Sequence, residues 1–285
     1  MSQSASIPGD TPLKRNAAAT GVFFTGTLEE QRMAVMNDLG NIPEVTVDFM
    51  LNHIVPDSGV DVEHTMRRLR QKGDLLDAGW KEFIDVLPKD SPDNKQKVFS
   101  KMGRIYKRII GYTKLKGSSR TPTLVLGTSP DTAPVSETLV RTHPDGYGQL
   151  NSDHPNHTSQ CGYRSKEKKS NYHWMNIAYV EEYKKRNTVN ELNDVCPILI
   201  FKKTLLTLTL QNTVKILWSL HHIMNVDHRR RFAFGTTIEN TDARIWFCSR
   251  QIVLVTHRFD FMKVNFGLRL LSLCIFTNDG SLSAF

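Results

Sequence analysis

FAFGTTIENTDARIWFC, residues 232–248, reads as two β-strands joined by a tight turn. Residues 232–238 and 243–248 are rich in aromatic and β-branched side chains, which suit a pleated, half-buried surface. Between them Glu239-Asn240-Thr241-Asp242 supplies turn chemistry, because Asn and Asp tolerate the backbone angles of a tight hairpin. Residues 252–256, IVLVT, extend the hairpin into a three-strand meander. A sheet therefore organises the last third of the chain, and the rest of the sequence has to supply what covers it.

Working upstream, residues 174–183 are aromatic and β-branched enough for a further strand. Residues 205–210, LLTLTL, alternate leucine with threonine and also favour a strand. Residues 213–224 return to helical spacing, with Val214, Leu217, Trp218 and Ile223. The first third is helical. Thr27-Leu-Glu-Glu30 has the form of a capping box, with Met33, Met36 and Leu39 behind it. Residues 45–54 read as a short helix stopped by Pro56, and Val62, Met66 and Leu69 mark another. Trp80, Phe83, Ile84 and Leu87 fall at i, i+3, i+4 and i+7, which predicts an amphipathic helix. Ser91-Pro92-Asp93 reads as the start of the next, carrying Val98, Met102, Ile105 and Ile109 with Phe99, Tyr106 and Ile110. Residues 123–126 suggest a short strand. Prolines and glycines crowd the surrounding stretch, Gly146-Tyr-Gly148 included, so it reads as loop or linker.

The fold class expected is α+β. Its parts are a disordered tail at 1–25, a helical region at 26–115, an irregular linker at 116–171, a mixed α/β region at 172–262 and a divergent tail at 263–285.

The 285 residues carry a formal net charge of +8, with 39% hydrophobic and 23% charged residues. That composition is globular, slightly poor in apolar residues. The positive balance favours anionic partners, but no nucleic-acid motif accompanies it, so nucleic acid is not the expected partner. Cys161, Cys196, Cys248 and Cys274 are widely spaced and form no Cys-x-x-Cys pair, which argues against a zinc ribbon or a redox motif. The N-terminus lacks a signal-peptide pattern, and Lys202, Lys203 and Lys215 interrupt the most apolar run, so an intracellular chain without a membrane span is expected.

Few residues combine into chemistry. Asp153, His154, His157 and Cys161 have metal-ligand types but no second half-site. His221, His222 and His228 cluster near a helix end, where core-facing or capping roles account for them. Glu182-Tyr-Lys184, on the strand at 174–183, fits the PD-(D/E)XK nuclease pattern. There two acidic groups hold a divalent cation and a lysine steadies the attacking water. Asp145 and Asp153 are the candidates for the second acid. His257-Arg-Phe-Asp260, with Asn265 and Asn278-Asp-Gly280 behind it, imitates kinase catalytic motifs imperfectly, since Phe259 is inserted and no Asp-Phe-Gly follows.

The segment LWSLHHIMNVDHRRRFAFGTTIENTDARIWFCSRQIVLVTHRFDFM, residues 217–262, resembles the fungal-type protein kinase family, in the region preceding its catalytic motifs. Earlier pieces are similar: MLNHIVPDSGVDVE from Met50, GWKEF from Gly79, SRTPTLVLG from Ser119 and ETLVRTHPDGYGQL from Glu137. SQCGYRSKEKKSNYHW and AYVEEYKK continue the likeness. Residues 196–210 read as an insertion, and from Val264 the pattern is lost. Both are expected to reflect non-coding sequence or a shifted exon join. The resemblance implies ATP-dependent phosphotransfer to Ser or Thr with ATP and Mg²⁺ in an intact protein. It transfers no catalytic residue here, and the chain as given is expected to be a truncated, inactive or pseudokinase-like module without cofactor of its own. The alternatives are a nuclease-like module around Glu182 and Lys184, and a non-catalytic interaction protein with an unknown protein partner.

Overall fold

The computed structural model describes residues 27–39, 41–55, 61–113, 124–128, 134, 142–150, 173–186 and 200–263; of residues 200–211 it describes only the course of the backbone. Among these residues helices surround a mixed sheet, so the class is α+β.

The hairpin forms as read. β7 (Phe232–Glu239) and β8 (Asp242–Ser249) pair antiparallel from Phe232↔Ser249 to Glu239↔Asp242. Asn240 takes φ 55° in the turn, the left-handed angle that Asn tolerates better than most residues. β9 (Val253–Thr256) adds to β8 antiparallel, and β1 (Glu44–Val45) pairs with β9 in parallel. β10 (Phe259–Asp260) turns back onto the start of β8.

On its other side β7 meets β6 (Ile177–Lys184) in parallel, from Tyr179↔Phe234 to Lys184↔Glu239. Parallel neighbours need a crossover, and the long helix Ile200–Val226 lies between them in sequence and packs on both. β5 (Gly146–Leu150) runs antiparallel to β6, and β4 (Leu124–Thr128) antiparallel to β5. The spatial order is β1-β9-β8-β7-β6-β5-β4.

Helices cover both faces. On one lie α1 (Leu28–Leu39) and the crossover helix, whose Ile216, Leu217, Leu220 and Ile223 meet Val180, Trp246 and Val255. On the other lie α3 (Val62–Gln71), α5 (Lys95–Phe99) and α6 (Lys101–Tyr112), together with Trp80 and Phe83, against Tyr183, Ile238 and Phe261. The α1 capping box forms: Thr27 N donates to Glu30 Oε2 at 2.6 Å and Glu30 N to Thr27 Oγ1 at 3.3 Å. Asp61 caps α3 by accepting from His64 N at 2.9 Å.

Several expectations are corrected. Residues 205–210 are helical, because no Gly or Pro separates them from the helix that follows and extending a helix costs far less than starting one. The stretch 116–171 is not wholly irregular: it supplies β4 and β5, and Gly146 and Gly148 sit inside a strand. Trp80 is not helical. It ends β3 (Gly79–Trp80), paired with β2 (Leu75–Leu76), and the helix behind it, α4, is only Lys81–Ile84. The helix expected at Ser91-Pro92-Asp93 starts after Asn94, whose side chain accepts from Lys97 N at 2.9 Å. Residues 45–54 divide into β1 and α2 (Val47–Phe49), which passes into a π-helical turn at Met50–Ile54. The tails at 1–25 and 264–285, and Pro56, lie outside the described residues.

Candidate functional site

Strand alternation gives β6 two chemically different faces. Tyr179, Glu181 and Tyr183 turn towards α6. Val180, Glu182 and Lys184 turn towards the crossover helix. Both glutamates are almost fully covered, at 1% and 2% exposure, which for a carboxylate demands partners.

Glu181 finds them in tyrosines. Its carboxylate accepts short hydrogen bonds from the Tyr106 and Tyr183 hydroxyls, and the Tyr179 hydroxyl lies 2.8 Å away. Tyr179 also reaches Thr236 Oγ1 at 2.6 Å. Burial raises the pKa of Glu181, and the three hydroxyls oppose that shift. Burial likewise pushes the Tyr106 and Tyr183 hydroxyls well up. Gly146, opposite Glu181, makes room for this cluster: a Cβ there would stand 2.6 Å from Tyr183 Oη and 2.7 Å from Glu181 Oε2.

One step past the Gly146↔Glu181 pair, Asp145 stands opposite Glu182 at the rim of the sheet. Its carboxylate is fixed from two sides. The Tyr183 N–H donates to Oδ2 at 2.8 Å, and Lys95 Nζ, from the first turn of α5, donates to Oδ1 and Oδ2 at 2.7 and 2.8 Å. Glu182 feels this neighbour. Burial first, then the charge of Asp145, push its pKa up to about 8, against the pull of Lys215, Lys95 and Arg32. Lys184 is half-buried at the end of β6.

Of the nuclease candidates, Asp145 lies just ahead of β5 and Glu182 and Lys184 lie near the end of the neighbouring β6, with Glu182 and Lys184 turned to the crossover helix and Asp145 held by Lys95 of α5, while Asp153 lies outside the described residues. Among the described residues no three His, Cys, Asp or Glu side chains converge as a metal cluster. Glu182 is buried within reach of the charge of Asp145, whose own carboxylate is held by Lys95 and the Tyr183 N–H. Pro144-Asp145 was the missed sequence signal, since it supplies the leading Pro-Asp of the PD-(D/E)XK pattern. Lys95, Arg32 and Lys215 had no local signal, because only the fold brings them near Glu182.

The other candidates take structural places. His222 is buried, with its ring edge-on to Trp174 at 4.7 Å, and burial followed by the charge of His221 lowers its pKa to about 4. His221 stacks on Trp218, and the His228 carbonyl accepts from Arg250 at 3.0 Å. Asp260 Oδ1 accepts from Met262 N at 2.9 Å, and His257 Nδ1 lies 3.2 Å from Glu44 Oε2. The basic run after Glu182 is tied down too: Lys185 Nζ donates to the Ser91 and Asp93 carbonyls, and Arg186 pairs with Glu239 at 2.7 Å. His154, His157, Cys161, Asn265, Asn278 and Gly280 lie outside the described residues. Among the described residues no helix is long and apolar enough to cross a membrane.

Comparison of the chain with protein-family models, with curated proteins and with solved structures yields no match in any of the three.

Proposed function

We propose that this chain carries a metal-dependent phosphodiester-cleaving module of the PD-(D/E)XK nuclease type, acting on nucleic acid. The observation that supports the reading is Asp145 bonded to the Tyr183 N–H, beside the Gly146↔Glu181 pair, with Glu182 and Lys184 two residues apart on β6.

Asp145 and Glu182 are the residues that would hold a divalent cation. When bound, such a cation supplies a water of lowered pKa and offsets the charge gathering on the phosphate. Lys184, on the face of Glu182, orients the attacking water and shields the phosphate charge. The Tyr183 N–H ties the Asp145 carboxylate to the strand that carries Glu182. The Glu181–tyrosine cluster ties β6 to α6 and, through Thr236, to β7. In the reaction the water oxygen bonds to phosphorus, the ester P–O bond breaks, and the leaving oxygen takes up a proton.

Plasmid DNA and single-stranded RNA incubated with the purified chain test this. Cleavage with MgCl₂ that EDTA stops is expected. Intact substrate in both magnesium and manganese would sink the reading.

A second reading rests on the resemblance of residues 217–262 to the leading region of fungal-type protein kinases. Under it the chain is a kinase-family module, inactive in phosphotransfer as it stands. The structural roles of His257 and Asp260 favour inactivity over a divergent catalytic loop.

A further inference from the structure

An acid that helps cut a bond has to meet that bond, yet Glu182 is 2% exposed. On its face of β6 two helices bring charges to it, the crossover helix through Lys215 and α1 through Arg32. A substrate reaches Glu182 only if one of these covers gives way.

The two helices differ in how firmly they are held. The crossover helix buries Ile216, Leu220 and Ile223 completely against Val180, Trp246 and Val255, so it cannot leave without taking the core apart. α1 has no fully buried residue. Met36 and Leu39 are its partly buried contacts to the same core, and Met33 is 49% exposed. Elements with few buried apolar contacts open locally at a fraction of the cost of unfolding the core.

Arg32 makes the closed state poorer still. It is half-buried, and its Nε is shut from water with no hydrogen-bond partner among the described residues. An orphaned buried donor is costly, and lifting α1 returns this one to water. Burial lowers the pKa of Arg32, while the charges of Glu182 and Glu29 raise it, so Arg32 is drawn to Glu182 without being fully satisfied there.

Resting on the nuclease reading, we infer that α1 is an autoinhibitory cover: it lies on the crossover helix with Arg32 beside Glu182, and it lifts away as a unit to let a substrate reach that acid. The crossover helix and the sheet stay in place when it does.

Two measurements on the whole chain test this without turnover. In amide hydrogen exchange read by mass spectrometry, residues 31–39 are expected to exchange at least roughly tenfold faster than residues 177–183 and 216–223. Loss of protection in one step with the core would overturn the inference. In the second, a water-soluble carbodiimide couples glycine ethyl ester to accessible carboxyls, and tandem mass spectrometry separates Glu181 from Glu182. Met36→Asp removes part of the apolar hold of α1, so it is expected to raise Glu182 labelling at least roughly tenfold while Glu181, on the other face, stays as in wild type. Met33→Asp changes an exposed position of the same helix and should label as wild type does. Should Met36→Asp fold poorly, Arg32→Glu takes its place, setting a like charge beside Glu182, and the same rise is expected. Unchanged Glu182 labelling in the folded variant, or an equal rise in Met33→Asp, would overturn the inference. Cleavage is read separately. Where wild type cuts nucleic acid, Met36→Asp should cut faster, and an equal rate would overturn the inhibitory role. No cleavage by any of the proteins would remove the nuclease reading alone, since exchange and labelling still report whether α1 lifts off Glu182.

Discussion

The carboxylate of Asp145 accepts the main-chain N–H of Tyr183 at 2.8 Å, so the acid at the rim of β5 is tied to the residue between Glu182 and Lys184. One hydrogen bond thereby ties Asp145 to the strand that carries Glu182 and Lys184, which lie 37 and 39 positions further along the sequence. Asp145→Asn keeps an oxygen for the Tyr183 N–H but loses the charge. The fold is expected to survive, with a loss of about 1–3 kcal/mol from the orphaned Lys95. Mn²⁺ binding, followed by calorimetry, should fall by about two orders of magnitude. Wild-type affinity in this variant would remove Asp145 from the site.

Glu182 makes stability depend on pH in a stated direction. Its folded pKa is raised from 4.5 to about 8, so the protonated form is favoured in the fold. The stabilisation is whole below the unfolded value and is lost as pH rises through about 8. Thermal melts of the metal-free chain should therefore drop between about pH 4.5 and about pH 8 and level off above it, and Glu182→Gln should flatten that drop. Added Mg²⁺ should restore the melting temperature at the alkaline end, because it binds the ionised form. A wild-type profile identical to that of Glu182→Gln would contradict the burial argument.

How much of this was legible in the sequence differs by element. The hairpin at Asn240 and the capping box at Thr27 were readable because their causes are local, in turn and cap chemistry spanning a few residues. The helical stripe from Val98 to Ile109 was readable because its period is. Residues 205–210 misled, since their two-residue alternation is weaker than the continuity of the helix they precede. Trp80 misled because it closes a short hairpin, whose Gly79 takes φ 126°, just ahead of a short helix while mimicking helical spacing. The acid pair was half legible. Glu182 and Lys184 show as i and i+2 on one strand, but Asp145 joins them only through the pairing of β5 with β6, which no local pattern encodes.

Gly146→Ala puts a methyl group where Tyr183 Oη and Glu181 Oε2 already stand, at 2.6 and 2.7 Å. The tyrosine cluster would have to shift, at a cost of about 1–3 kcal/mol by denaturant unfolding. Because the same strands carry Asp145 and Glu182, Mn²⁺ affinity should weaken in the folded variant as well. A neutral effect on both would mean that the cluster does not hold the register.

Asp260→Asn probes the kinase-like sequence near the end of the described chain. Asp260 Oδ1 caps a turn by accepting from Met262 N, so the expected effect is a loss of about 1 kcal/mol or less. With labelled ATP and Mg²⁺, neither wild type nor variant should transfer phosphate. Transfer by wild type that Asp260→Asn abolishes would make residues 257–260 a divergent catalytic loop.

The most direct test of the central claim compares wild type with Glu182→Gln on one end-labelled nucleic acid duplex and its single strands, in Mg²⁺ and with EDTA. The expected result is Mg²⁺-dependent cleavage by wild type that falls at least roughly a hundredfold in the variant, which keeps the side-chain shape and loses the carboxylate. Equal cleavage by both proteins, or none by a folded wild type in Mg²⁺ or Mn²⁺, would contradict it.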